Sequence, residues 1–111
     1  MTRRSADVSA PADERVIERI TVSGVVQGVG FRPFVYRLAT EMGLGGTVAN
    51  NSTGAVIEIE GPPERVEAFA DELIRQLPQL ARVADMKQRD IPTLGETTFR
   101  IERSQRDAER R

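Results

Sequence analysis

The run Gly24-Val25-Val26-Gln27-Gly28-Val29-Gly30-Phe31-Arg32 follows an alternating, strand-like stretch and precedes a helical stripe. Three glycines within seven residues restrict this part of the chain to a tight loop, because glycine reaches φ > 0 without a Cβ penalty and lets another group approach the main chain closely. Successive N–H groups of such a loop can converge into an anion nest. The helix that follows adds its unpaired N–H groups and the positive end of its dipole. Arg32 stands at that end, where a cation is ordinarily unfavourable. A doubly charged anion held between the arginine and the loop would remove the conflict. These residues describe a small oxyanion or phosphate site, although a strand–loop–helix junction also needs glycines for geometry alone. No Lys-Ser/Thr pair follows the glycines, which excludes the Walker pattern, and no acidic residue falls where a dinucleotide-binding βαβ unit would need it.

Hydrophobic periodicity supplies the elements around the loop. Val16 to Gly24 reads as a first strand, with Ile20 and Val22 on one face and Arg19, Thr21 and Ser23 on the other. Pro33 suits the first helical position, and Phe34, Val35, Leu38, Ala39 and Met42 form a stripe that Gly43 stops. Gly46 to Asn50 and Ala55 to Glu60 are strands joined through the turn cluster Asn51-Ser52-Thr53-Gly54, which predicts a hairpin. In the second of these, Ala55, Ile57 and Ile59 share one face, and Glu58 and Glu60 point outward as surface charges. Gly61-Pro62-Pro63 starts a second helix with Val66, Phe69, Ala70, Leu73 and Leu77 on one side, and Pro78 ends it. Arg82 to Arg89 is a fourth strand of weak period. Thr97 to Glu102 is a fifth, with Phe99 and Ile101 inward.

The order β-α-β-β-α-β with one extra strand predicts an α+β sandwich of the ferredoxin-like kind, an antiparallel sheet with both helices on one face. Residues 1–15 read as a disordered leader, 16–103 as one domain and 104–111 as a charged tail. The chain of 111 residues carries a net charge of −1, which lacks the basic excess of a nucleic-acid binder. An RNA-recognition module of the same element order would need aromatic residues on its central strands, and the first and third strands have none. No apolar run is long enough to span a membrane, and Met1 to Glu14 has no apolar middle of the kind a signal peptide needs. A cytoplasmic protein is the expectation.

The chain contains no cysteine and no histidine. Thiolate chemistry, the usual imidazole base and the commonest metal ligands are therefore absent, and no cofactor is expected. Carboxylates, hydroxyls, amides and arginines remain. Gln27, inside the loop, either orients the turn or touches a ligand. Asn50 ends the second strand just before the turn. An asparagine there can simply start a turn, but Asn51 meets that need equally. Asn50 is thus able to present a neutral donor and acceptor to something held in the loop.

The pattern Val22-x-Gly24-x-Val26-Gln27-Gly28-Val29-Gly30-Phe31-Arg32, then Gly46-x-Val48-x-Asn50, then Gly54-x-Val56 resembles the signature of acylphosphatases, over about residues 17–102. The resemblance implies hydrolysis of carboxyl phosphates to carboxylate and inorganic phosphate, without metal or cofactor. It implies that Arg32 binds the phosphoryl group, that Asn50 orients the attacking water, and that the backbone of Gly24, Val25, Val26, Gln27, Gly28, Val29 and Gly30 forms the phosphate cradle. Within the family, Phe31-Arg32-Pro33-Phe34-Val35-Tyr36-Arg37-Leu38-Ala39 looks most like the N-terminal acylphosphatase-like domain of the hydrogenase-maturation carbamoyltransferase. That likeness implies carbamoyl phosphate as a ligand and a hydrogenase-maturation enzyme as partner. It also offers an alternative role, a non-catalytic module that binds carbamoyl phosphate. An acyl phosphate has a good leaving group, so positioning and charge stabilisation can supply most of the acceleration without a strong base.

Overall fold

The computed structural model describes residues 15–102. The expected charged tail, and the expected leader up to residue 14, lie outside them. The elements are β1 (Val16–Val25), α1 (Phe31–Glu41), β2 (Gly45–Asn50), β3 (Gly54–Gly61), α2 (Pro63–Arg75), β4 (Arg82–Ile91) and β5 (Phe99–Ile101). They build one five-stranded sheet in the order β4-β1-β3-β2-β5. The predicted hairpin is β2–β3, in register from Gly45 opposite Glu60 to Asn50 opposite Ala55.

Alternation decides which residues enter the core. Ile20 and Val22 of β1, Val48 of β2, and Ile57 and Ile59 of β3 project from one face. Phe31, Phe34, Val35 and Leu38 of α1 pack onto that face together with Val66, Phe69 and Leu73 of α2, in a single cluster. Each such side chain contributes about 1.5–3 kcal/mol through burial. Both helices therefore cover one side of the sheet, as the pattern predicts.

The structure departs from the pattern in four places. First, β5 pairs parallel to β2, so the sheet is mixed. Its direction follows from the connection. Ile91 at the end of β4 pairs with Ile17 near the start of β1, and Phe99 pairs with Gly46 near the start of β2. The chain thus crosses the sheet at one end and sets out again in the direction of β2. Second, Phe99 is buried, but Ile101 on the same side of this edge strand is 45% exposed. Third, α1 opens at Phe31 with Gly30 as its N-cap, so Pro33 is the third helical residue rather than the first. Proline is tolerated there because N–H groups of the first turn have no intrahelical partner. Fourth, Glu60 does not meet water. It lies on the face away from the helices but is 1% exposed, because the segment between β4 and β5 folds over it. Its carboxylate accepts the N–H groups of Leu94 (3.3 Å), Gly95 (3.0 Å) and Glu96 (2.9 Å). Arg15 joins the same assembly through Glu96 O, 2.6 Å from its guanidinium. Glu58, also on that face, pairs with Arg19 at 2.9 Å. No helix among the described residues is long and apolar enough to cross a membrane.

Candidate active site

β1 and β2 run in the same direction with antiparallel β3 between them. Their carboxyl ends therefore lie at one end of the sheet, and the glycine loop delivers α1 from that same end. Asn50 is opposite Ala55, which is opposite Val22. Two strand spacings, roughly 10 Å, thus separate the level of Asn50 from the last turn of chain before the loop. Alternation from Val48 places Asn50 on the helix side of the sheet, the side on which α1 packs.

The loop is anchored by an apolar plug. Val26 is 1% exposed and belongs to the core, whereas Val25, the last residue of β1, is 55% exposed and pairs with Arg82. Gly28 and Gly30 adopt φ of 77° and 78°, left-handed values that a side chain tolerates poorly. A Cβ at either would meet nothing within 4 Å, so conformation alone demands glycine there, and the loop's outer surface stays open. Gly30 caps α1 without a side-chain hydrogen bond, and no acid lies in the first turn. The helical ladder starts with Phe34 N–H to Gly30 O at 3.2 Å. The N–H groups of Phe31 and Arg32 precede it, which leaves the positive helix end for a ligand. Arg32 is half-buried, and none of the ion pairs among the described residues involves it. Within the expected cradle, the Gly24 N–H donates to Thr53 O at 3.1 Å.

Asn51 and Gln27 acquire distinct roles. Asn51 is 8% exposed, and its Oδ1 accepts the N–H groups of Thr53 (3.1 Å) and Gly54 (2.8 Å), closing the turn. Gln27 turns its amide nitrogen to Asn51 O (2.7 Å) and Gly54 O (3.3 Å). Sequence reasoning found the turn but not its attachment to the loop; only the doublet Asn50-Asn51 and the central place of Gln27 hint at it. Among the described residues no group of three or more acidic side chains gathers in a way that could hold a metal ion.

The chain is thus a small β-α-β-β-α-β sandwich with a glycine loop, an arginine in the first helical turn and an asparagine at the end of the second strand. Residues 18–101 match the sequence model of acylphosphatases, and the chain belongs to that family. It is 45% identical over 84 residues to the acylphosphatase of Moorella thermoacetica, covering 75% of this chain and 89% of that protein. It is 49% identical over 77 residues to carbamoyltransferase HypF2 of Cupriavidus necator, covering 68% of this chain but 10% of the relative. The chain thus spans about a tenth of the length of the carbamoyltransferases it matches. Among solved structures, full-length HypF in a phosphate- and nucleotide-bound form superimposes with a TM-score of 0.78 at 36% identity, over 82% of this chain and 12% of that one. The acylphosphatase of Bacillus subtilis does so with 0.71 at 36% identity, over 78% of this chain and 98% of that one.

Proposed function

We propose that this domain hydrolyses acyl phosphates. The phosphoryl oxygens sit against the loop backbone from Val25 to Gly30, the first N–H groups of α1 and the Arg32 guanidinium. These donors meet the charge of the transition state in a fixed array, which costs no reorganisation when the reaction occurs. Arg32 adds charge-assisted hydrogen bonds to the phosphoryl group. Asn50 orients the water, which attacks phosphorus as the bond to the acyl oxygen breaks. The carboxylate leaves, and the water's proton passes to a phosphate oxygen, so no histidine is needed. The observation that carries this reading is that a helix start without a side-chain cap or an acid in its first turn, an arginine in none of the ion pairs among the described residues, and the strand end at Asn50 all lie at one end of the sheet.

Steady-state kinetics on benzoyl phosphate, with phosphate binding by calorimetry, test it. Asn50→Ala should fold, keep phosphate binding and KM, and lose kcat by about 10²-fold or more, the mark of an interaction made only in the transition state. Ser52→Ala is the control. Asn51→Ala is unsuitable as one, because Asn51 is buried and closes the turn. A near-normal kcat in Asn50→Ala refutes the assignment.

The likeness to the carbamoyltransferases supports a second reading, a module that binds carbamoyl phosphate without turning it over and works with a hydrogenase-maturation enzyme. Phosphate binding by the purified chain with no turnover of benzoyl or carbamoyl phosphate would establish that reading instead.

A further inference from the structure

Gln27 lies at the middle of the glycine loop with its residue surface largely exposed, yet its side chain does not extend into solvent. Nε2 reaches Asn51 O at 2.7 Å and Gly54 O at 3.3 Å, 24 and 27 residues away. A primary amide carries two N–H donors, so one group serves both carbonyls. Because both partners are acceptors, the orientation of the amide is fixed as well. At the start of the loop, Gly24 N–H donates to Thr53 O at 3.1 Å. The loop is therefore stitched to the 51–54 turn at two points, one from the main chain and one from a side chain. The turn has its own lock, in Asn51 Oδ1 and in the bond from Asn51 N–H to Gly54 O at 3.0 Å.

We propose that Gln27 is a positioning residue that sets the distance between the bound phosphoryl group and the water held by Asn50. The inference rests on the roles given above to the loop and to Asn50. One side of the reaction, the phosphorus, is placed by the loop. The other side, the water, is placed by Asn50, whose neighbour Asn51 offers the carbonyl that Gln27 holds. Without the amide, the Gly24–Thr53 bond and the β1–β3 pairing that ends with Ser23 opposite Gly54 remain, both at the start of the loop rather than at its middle. The loop keeps its N–H groups and Arg32 in that case, so the anion still binds. What is lost is alignment, and small misplacements of reacting groups cost rate steeply.

The experiment compares the parent, Gln27→Met and Gln27→Glu in benzoyl phosphate hydrolysis and in inorganic phosphate binding. Methionine keeps the length without a donor. It should lower kcat by about 10- to 100-fold while KM and the phosphate Kd stay within about 3-fold of the parent. Glutamic acid tests the donor itself. When ionised it faces two carbonyls with acceptors only, and when protonated it offers one O–H. The ratio of its kcat to that of the parent should therefore rise as pH falls from 8 to about 5, a change that a purely structural role would not produce. A parent-like kcat in Gln27→Met overturns the proposal, as does a loss expressed mainly in KM and phosphate Kd, which would make Gln27 a ligand contact. A flat kcat ratio for Gln27→Glu across that pH range also overturns it. A parent that binds phosphate but shows no turnover overturns the hydrolytic reading, and this proposal with it; a parent that turns over while Gln27→Met is unimpaired overturns this proposal alone.

Discussion

Replacing Glu60 by glutamine should destabilise the domain, although the substitution removes no volume and lies on the sheet face away from the helices. The carboxylate is buried and accepts three backbone N–H groups, from Leu94 and Glu96 on one oxygen and Gly95 on the other. The second oxygen also lies 3.6 Å from the Arg15 guanidinium. Glutamine has a single acceptor oxygen. Whichever way its amide turns, an NH₂ group meets either Gly95 N–H and Arg15 or the N–H groups of Leu94 and Glu96. The variant thus loses one or two hydrogen bonds to a charged acceptor and gains a donor–donor conflict. Each such bond is worth about 1.5–3 kcal/mol, so a total loss of ~2–4 kcal/mol is expected. In a domain of this size 1 kcal/mol moves Tm by about 4–8 °C, which puts the drop at roughly 8–32 °C in thermal unfolding at pH 7. Glu64→Gln, on an exposed site, should change stability by no more than about 0.5 kcal/mol. Burial by itself would raise the Glu60 pKa, but the three backbone donors and Arg15 outweigh it and hold the group below its ordinary 4.5. A carboxylate with a depressed folded pKa stabilises fully above its unfolded value and loses that contribution as pH falls through the folded value. The gap in stability between the parent and Glu60→Gln should therefore be wide at pH 7 and narrow steadily below about pH 4. A gap that stays constant with pH, or a variant as stable as the parent at pH 7, refutes the account of Glu60 as a charged acceptor holding the 94–96 segment.

Two further predictions address the proposed anion site. Arg32→Ala should weaken binding of inorganic phosphate by about 1.5–3 kcal/mol in calorimetry, as expected for loss of a charge-assisted hydrogen bond; unchanged binding places the anion elsewhere. Hydrolysis should be indifferent to EDTA, since the donors assigned to the phosphoryl group are N–H groups and a guanidinium rather than oxygen ligands of a cation; activity abolished by the chelator and restored by Mg²⁺ contradicts this.

The elements were legible wherever one face of a strand or helix is buried by near neighbours in the chain. Ile20 and Val22, the stripe from Phe34 to Leu38, and Ile57 and Ile59 announce their faces by spacing alone. The hairpin followed from its turn cluster, and the placing of the glycine loop and the end of β2 at one end of the sheet followed from the β-α-β-β order. What escaped depends on distant parts of the chain. The outward direction of Glu60 was correct, but its cover arrives from the segment 94–96, which has no period and offers Gly95 as its sole turn signal. The direction of β5 depends on which end of the sheet that same segment crosses, and three residues carry too little pattern to reveal it. Exposure of Ile101 reflects its edge position, which periodicity does not encode. Gln27 posed a question of chemistry rather than of pattern, because an amide in a loop serves a ligand or a main chain equally well until the 51–54 turn is seen beside it.

The parallel fifth strand gives the domain an entrance and an exit with different surroundings. Chain enters β1 at Val16, about 25 Å of extended strand from the glycine loop. It leaves in the direction of Asn50, with Ile101 beside Val48 and Glu102 N–H on Val48 O at 2.8 Å. The departure point is therefore two strand steps, roughly 7 Å, short of the level of Asn50. A group tethered by a short linker after residue 102 would be confined near the end of the sheet that carries Asn50 and the glycine loop, at an effective concentration in the millimolar range, whereas the same group tethered before residue 15 would be held at the opposite end of the sheet.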